Sequence, residues 1–303
     1  MPEIKMNLSP IALFVYNRPW HTQKTVEALL ANAEAAQTSL HIFSDAPRNK
    51  KVSQLVSEVR AYIRSISGFN SITIIERETN FGLARSVIDG VTSLCDEYGR
   101  VIVVEDDLVT SPFFLAYMND ALNLYEHEER VVSIHGYLLP IKEPLPETFF
   151  LKGTDCWGWA TWKRGWDIFE ADGRILLQEL IQRKLTHHFD FGGAYPYTNM
   201  LRNQIKGKNN SWAIRWYASA FLKDKFTLYP SRSLVLNIGT DSSGTHCSTN
   251  SDMTSKISET PVKVEFIPIN ESAFARQQFG KFFKTINPWK LKKIIRKLLS
   301  MLR

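Results

Sequence analysis

Residues 101–107 read Val-Ile-Val-Val-Glu-Asp-Asp, and this stretch constrains the fold more than any other. Four β-branched apolar residues in succession offer water no polar face, so they suit a strand buried on both sides, as in the middle of a parallel sheet. The strand then delivers Glu105, Asp106 and Asp107, three like charges whose repulsion a folded chain must neutralise. A divalent cation does so, and hard oxygen ligands favour Mn²⁺ or Mg²⁺ over zinc. In open α/β sheets ligands bind beyond the carboxyl ends of the strands, which is where this triplet falls. An acidic loop capping a helix that begins near Ser111-Pro112 is the structural alternative.

The residues before this strand repeat one theme. Ile11 to Tyr16 reads as a first buried strand ending in the turn Asn17-Arg18-Pro19, followed by a helix from about Thr22. His41 to Phe43 is a second strand, ending in Ser44-Asp45-Ala46-Pro47, and Ser71 to Ile75 a third, with Asn80 shortly after it. Helical patterns separate them, with Val26, Leu29, Leu30 and Ala33 on one apolar face and Val52, Leu55, Val56, Val59 and Ile63 on the next. Strands alternating with helices predict βαβ units and a mostly parallel sheet with helices on both faces. Arg18, Asp45, Asn80 and the acidic triplet then converge on one crevice. An arginine beside carboxylates there suits a phosphorylated ligand held through a metal, although any one of these residues alone is an ordinary turn residue. No GxGxxG follows the first strand and no GxxxxGK[ST] occurs, so dinucleotide and P-loop sites fall away.

Beyond Val131–His135, read as an edge strand, the texture changes. Trp157, Trp159, Trp162 and Trp166 crowd a segment that opens at Asp155, a candidate general base. Trp157 and Trp159 suit a platform for a sugar ring, and burial in the core is the alternative. Helices are expected over 175–184, 198–206 and 212–223, with short strands at 226–229 and 234–236. The Gly- and hydroxyl-rich run 237–247 suits either a loop that closes over an anionic ligand or a plain surface loop.

Composition separates the tail from the body. Residues 281–303 carry eight basic residues and no acids, which leaves 29 basic against 31 acidic residues elsewhere, so the net +6 belongs to the tail. A nucleic-acid partner for the whole protein loses its main support. From Asn287-Pro288, a good helix start, Leu291, Ile294, Ile295, Leu298, Leu299 and Leu302 form an apolar stripe opposite a cationic face. That is the pattern of a helix lying on an anionic membrane surface, with Trp289 at headgroup depth and Phe279, Phe282 and Phe283 extending the contact. Docking on the body or on a partner subunit is the alternative. Three widely spaced cysteines and no secretory leader pattern point to a reduced, cytoplasmic setting, peripheral on the inner face of the membrane.

Asn-Arg-Pro after strand one, Ser-Asp after strand two, Glu-Asp-Asp-Leu with Pro-Phe-Phe, and Gly-Thr-Asp-Cys-Trp-Gly-Trp-Ala-Thr-Trp together resemble bacterial sugar transferases of the GT-A fold. They are also similar in arrangement to the eukaryotic N-acetylglucosaminyltransferase I. The resemblance implies a Rossmann-like GT-A domain over 1–250, with a nucleotide-sugar half to about 135 and an acceptor half over 136–250. A linker over 251–280 and the amphipathic tail over 281–303 follow. It implies Asp107 as the Mn²⁺ ligand, Glu105 and Asp106 near the ribose and sugar, Arg18 near the diphosphate, and Asp45 at the uracil edge. Asn80 stands where the eukaryotic enzyme has a histidine. Asp155 matches the catalytic aspartate, and Thr245 and His246 match a Ser-His pair in the loop that orders over bound donor.

The function expected is a metal-dependent inverting glycosyltransferase that moves a sugar from a nucleotide-sugar, of the UDP class, to a glycan acceptor. The membrane-binding tail predicts a lipid-linked acceptor, as in bacterial surface polysaccharide or lipopolysaccharide synthesis. A nucleotidyltransferase acting on sugar phosphates would need a Gly-rich loop after strand one, where this chain has Asn17-Arg18-Pro19. A non-catalytic sugar-binding membrane adaptor has no need of three adjacent acids on a buried strand.

Overall fold

The computed structural model of the protein describes residues 8–239 and 253–286. The first half is built as its periodicity predicts. It runs β1 (Ile11–Val15), α1 (Pro19–Leu30), β2 (Ser39–Ser44), α2 (Ser53–Ile63), β3 (Ser71–Glu76), α3 (Gly82–Tyr98) and β4 (Arg100–Glu105). Pro at the start of α1 fits there because a first-turn N–H has no intrahelical partner to lose. Gly99, at φ 75°, ends α3 in the left-handed conformation, its N–H bonding Cys95 O at 2.9 Å, and turns the chain directly into β4.

There follow β5 (Leu108–Thr110), α4 (Phe114–Leu124), β6 (Val131–His135), β7 (Thr148–Lys152), β8 (Trp159–Trp162), and the single turn α5 (Lys163–Trp166). Then come α6 (Gly173–Gln182), α7 (Thr186–Phe189), α8 (Tyr197–Ile205), α9 (Trp212–Leu222), β9 (Phe226–Pro230), β10 (Val235–Asn237) and α10 (Ala273–Ile286).

Eight strands form one sheet in the order β3-β2-β1-β4-β8-β6-β9-β7, and β10 pairs with β5 in a separate ribbon. Only β8 and β7 run against the rest, each antiparallel to its neighbours. Alternate side chains of the central strands go to opposite faces. Ile11, Leu13, Ile102 and Val104 meet Val26 and Leu29 of α1, Val59 of α2 and Met118 of α4. Ala12, Phe14, Val101 and Val103 meet Val87 and Val91 of α3 and Trp212 and Trp216 of α9. The fold is therefore α/β, a mostly parallel sheet with helices on both faces.

One expectation is corrected. The strand 131–135 is interior, not an edge, because β8 and β9 flank it. The Trp-rich segment supplies a sheet strand, β8, whose insertion between β4 and β6 closes the gap between the two halves. The stretch expected as a linker is packed on the body where it is described. Val262 and Ile269 are buried, and the Tyr125 hydroxyl donates to Glu265 O and accepts from Ile267 N, both at 3.1 Å. Nor does the body stop at residue 280. α10 crosses that point and buries Phe279 and Phe283 in the main core, with the Phe279 ring 5.7 Å from that of Tyr229. Each such burial contributes about 1.5–3 kcal/mol, so these two phenylalanines serve the core and not a membrane contact. The amphipathic stripe 287–303 lies outside the described residues.

Candidate functional site

Parallel pairing of β1 with β4 sets Phe14 level with Glu105, so the residues leaving both strands emerge side by side. Arg18 there reaches the acidic triplet. Its guanidinium is paired with Asp106 and lies 3.0 Å from Asp107 Oδ2. The Tyr16 N–H donates to Asp106 Oδ2 at 3.3 Å, and Thr25 on α1 donates its hydroxyl to Asp106 O at 2.9 Å. Asp106 and Asp107 are buried and Glu105 half-buried.

The electrostatics follow from that crowding. Burial pushes the Glu105 carboxyl up, and Asp107 and Asp106 push it further. Burial also raises Asp106, against the pull of Arg18. Burial works against the Arg18 charge, but Asp106 and Asp107 outweigh it and hold the guanidinium above its ordinary range. One arginine against three acids leaves the ionised site short of positive charge, while Arg18 Nη1 is buried without a hydrogen-bond partner. Among the described residues no three His, Cys, Asp or Glu side chains are grouped to hold a metal. The shortage of positive charge beside Asp107 fits a cation of the Mg²⁺ or Mn²⁺ kind, which needs one or two carboxylates and takes its remaining oxygens from water and substrate phosphates. The free Nη1 fits an anion beside it.

Asp45 and Asn80 are brought together, but by each other. The Asp45 carboxylate accepts from Ala46 N at 2.9 Å, Phe81 N and Gly82 N at 2.8 Å, and Asn80 Nδ2 at 3.0 Å. Four donors from within the chain tie the end of β2 to the start of α3, where a carboxylate also suits the helix N-terminus. A ligand contact by Asp45 has to displace one of them or share a lone pair.

The second half of the crevice forms around Asp155. Antiparallel pairing sets Val103 of β4 opposite Trp159 of β8, so the segment that leads into β8, with Asp155 and Trp157, approaches the sheet from the end at which β4 delivers Glu105. Cys156 feels the charges of Asp155, Glu105 and Asp107 together, after burial, so the two acidic centres share one neighbourhood. Asp155 accepts from the Cys156 N–H through Oδ1 at 2.8 Å, and its side chain is 41% exposed. His135, at the end of β6, puts Nε2 3.7 Å from Asp155 Oδ2. Burial first, and then the charge of Asp155, raises the hydroxyls of Tyr195, Tyr197 and Tyr229. Tyr137 stands edge-on to Trp157 at 4.7 Å between ring centres.

The two tryptophans part company. Trp157 is half-buried beside Asp155 and remains a fit for a ring platform. Trp159 has no exposed surface; it packs among Trp166, Trp212 and Trp216 with centroids 5.5–6.1 Å apart. Acceptor contact by Trp159 is thus corrected, because its place inside β8 commits the ring to the aromatic cluster, while Gly158, at φ 64°, breaks the extended chain before it and lets Trp157 take another direction. Thr245 and His246 lie outside the described residues. The sequence reading missed His135, Tyr137, Tyr195, Tyr197 and Tyr229. Only His135 carried a usable signal, a polar residue ending an apolar strand, as Asp45 and Glu105 do.

No helix among the described residues is long and apolar enough to cross a membrane. No protein-family model matches the chain, and no curated protein matches it in sequence. Among solved structures it is similar to residues 1–349 of S. aureus TarS, at 12% identity and a TM-score of 0.40 over 75% of this chain and 59% of that one. The chain thus spans about three-fifths of that structure. It is also similar to the mannosyltransferase PcManGT from Pyrobaculum calidifontis in complex with GDP-Man and Mn²⁺, at 11% identity and a TM-score of 0.37 over 73% of each chain.

Proposed function

We propose that this chain is a cation-dependent inverting glycosyltransferase that moves a sugar from a nucleotide-sugar, of the UDP class, to a hydroxyl of a glycan acceptor. One observation carries the reading. An arginine with a free, buried nitrogen sits on an acidic cluster lacking positive charge, and a partly exposed carboxylate, Asp155, stands in the segment that leads into β8, the strand paired with β4. The first arrangement suits a diphosphate with its cation; the second suits a hydroxyl that must lose a proton.

Asp107 would hold the cation, which supplies Lewis acidity to the leaving diphosphate. Arg18 Nη1 donates to the same group and stabilises the negative charge that builds on it. Asp155 accepts the proton from the acceptor hydroxyl through Oδ2, the oxygen not committed to the Cys156 N–H. Trp157 and Tyr137 offer the acceptor a flat apolar wall. Residues 237–239 pass directly over Asp107, where they can exclude water from the donor: Ile238 N–H bonds Asp107 O at 2.9 Å. The basic, apolar-striped sequence after residue 286 supports an acceptor carried by a lipid at an anionic, cytoplasmic membrane face.

The test is a panel of UDP- and GDP-sugars incubated with the full chain, with Mn²⁺ and with chelator. Release of nucleoside diphosphate that needs the cation is expected, with inversion at the anomeric carbon by NMR. Release of pyrophosphate instead would make the chain a nucleotidyltransferase, and no turnover of any donor would overturn the reading.

A further inference from the structure

At the carboxyl end of β6 an imidazole is buried with nothing to bond. His135 has no exposed surface, and neither ring nitrogen has a hydrogen-bond partner. Its ring is held in place by packing: Tyr229 meets it edge-on at 5.0 Å and Tyr137 at 6.2 Å. On β8 its backbone neighbour is Trp159. The charged group facing it is Asp155, whose Oδ2 stands 3.7 Å from Nε2, just beyond a hydrogen bond. Of the two side chains, only the partly exposed Asp155 is free to turn and close that gap.

Buried polar atoms that lack partners are uncommon and call for an explanation. Burial disfavours the imidazolium, so the ring carries a single N–H. A carboxylate can only accept, which assigns that hydrogen to Nε2 when the two groups meet.

Resting on the glycosyltransfer reading, we propose that His135 is a positioning residue for Asp155. Its Nε2–H donates to one lone pair of Asp155 Oδ2 and aims the other at the acceptor hydroxyl. In the transfer step the acceptor oxygen bonds the anomeric carbon, and the bond from that carbon to the diphosphate breaks with its electron pair leaving on the diphosphate. The hydroxyl proton goes to Asp155 Oδ2 and from there to water at its exposed edge. His135 stays neutral throughout. Histidine–carboxylate contacts of this kind orient the acting group without themselves reacting.

Two measurements test the contact. In the full chain labelled with ¹⁵N-histidine, the His135 ring signals are identified by their loss in His135→Gln. The Nε2–H tautomer is expected at neutral pH, with ring shifts that move in Asp155→Ala. The Nδ1–H tautomer, or ring shifts indifferent to Asp155→Ala, would overturn the proposal whatever the protein's activity. The second measurement uses the UDP-sugar turned over fastest in the panel, with Mn²⁺. His135→Phe should lower kcat about tenfold or more with donor KM unchanged, and His135→Gln, which keeps an N–H donor, should recover most of it. Equal kcat in wild type and His135→Phe sinks the proposal, and so does equal loss in both variants, the mark of a purely structural role. If the wild type itself turns over no donor, the glycosyltransfer reading fails, while the NMR result still judges the His135–Asp155 contact.

Discussion

A methyl group placed on Gly239 would lie 2.0 Å from Oδ2 of Asp107 and 2.9 Å from Nη1 of Arg18. The backbone that leaves β10 thus passes over the acidic cluster at a distance no larger residue permits. Asp107 is short and held by Arg18, so it cannot step aside without leaving its place.

Gly239→Ala should therefore cut cation-dependent donor turnover by about tenfold or more, with little change in Tm, since the clash falls on side chains at the crevice and not on the core. Asp107→Ala should remove the cation dependence altogether and leave the fold intact, because it relieves repulsion among the acids. Isothermal titration of donor with and without Mn²⁺ checks both. Full activity in either variant would detach Asp107 from the chemistry.

Asp155→Asn should keep donor affinity and lose about 10²-fold in kcat, the pattern left when a general base is removed but its shape remains. Donor titration and single-turnover kinetics separate the two quantities. A collapse of donor affinity, with kcat per bound donor unchanged, would make Asp155 a binding residue.

The two tryptophans on either side of Gly158 should answer differently. Trp159→Ala empties the centre of an aromatic cluster and should cost about 3–5 kcal/mol of stability in denaturant titration. Trp157→Ala should leave stability nearly unchanged and raise the KM for acceptor. Reversed effects would mean the wrong tryptophan has been assigned to the ligand.

A truncation has to respect α10. Removing 287–303 should release the protein from anionic liposomes without loss of donor hydrolysis. Removing 281–303 also takes Phe283 out of the core and should lower Tm by several degrees. Liposome binding that survives the shorter deletion would end the case for a membrane-facing tail.

His135 should make thermal stability fall as pH drops from 7 to 5, against the buried Glu105 and Asp106 carboxyls, whose raised pKa values act in the opposite direction. Burial lowers its pKa, so the unfolded chain takes up a proton that the folded chain refuses. The stability it contributes is full above the ordinary imidazole pKa of about 6.5 and is lost as the pH falls toward the lowered folded value. His41 is shifted the same way by burial, so His135→Gln should flatten the slope without abolishing it. Identical slopes of Tm against pH in wild type and variant would contradict this.

What the sequence determined by itself is the architecture up to about residue 125. A run such as Val101–Val104, or the spacing of Val56, Val59 and Ile63, states its own burial, because strand alternation and helical period are properties of consecutive residues. The placing of Arg18 beside Asp107 was legible for the same reason: parallel strands must deliver their ends to one edge. Only the tertiary structure decided the rest, since it turns on which strands become neighbours. Trp159 and Trp157 read alike in the chain, yet pairing with Val103 buries the one inside β8, while the left-handed turn at Gly158 takes the other out of the strand and leaves it half-buried. His135 and Asp155 are 20 residues apart with β7 between them, and no local pattern joins them. They meet because β8 pairs with both β4 and β6, and that register is set by packing across the whole sheet.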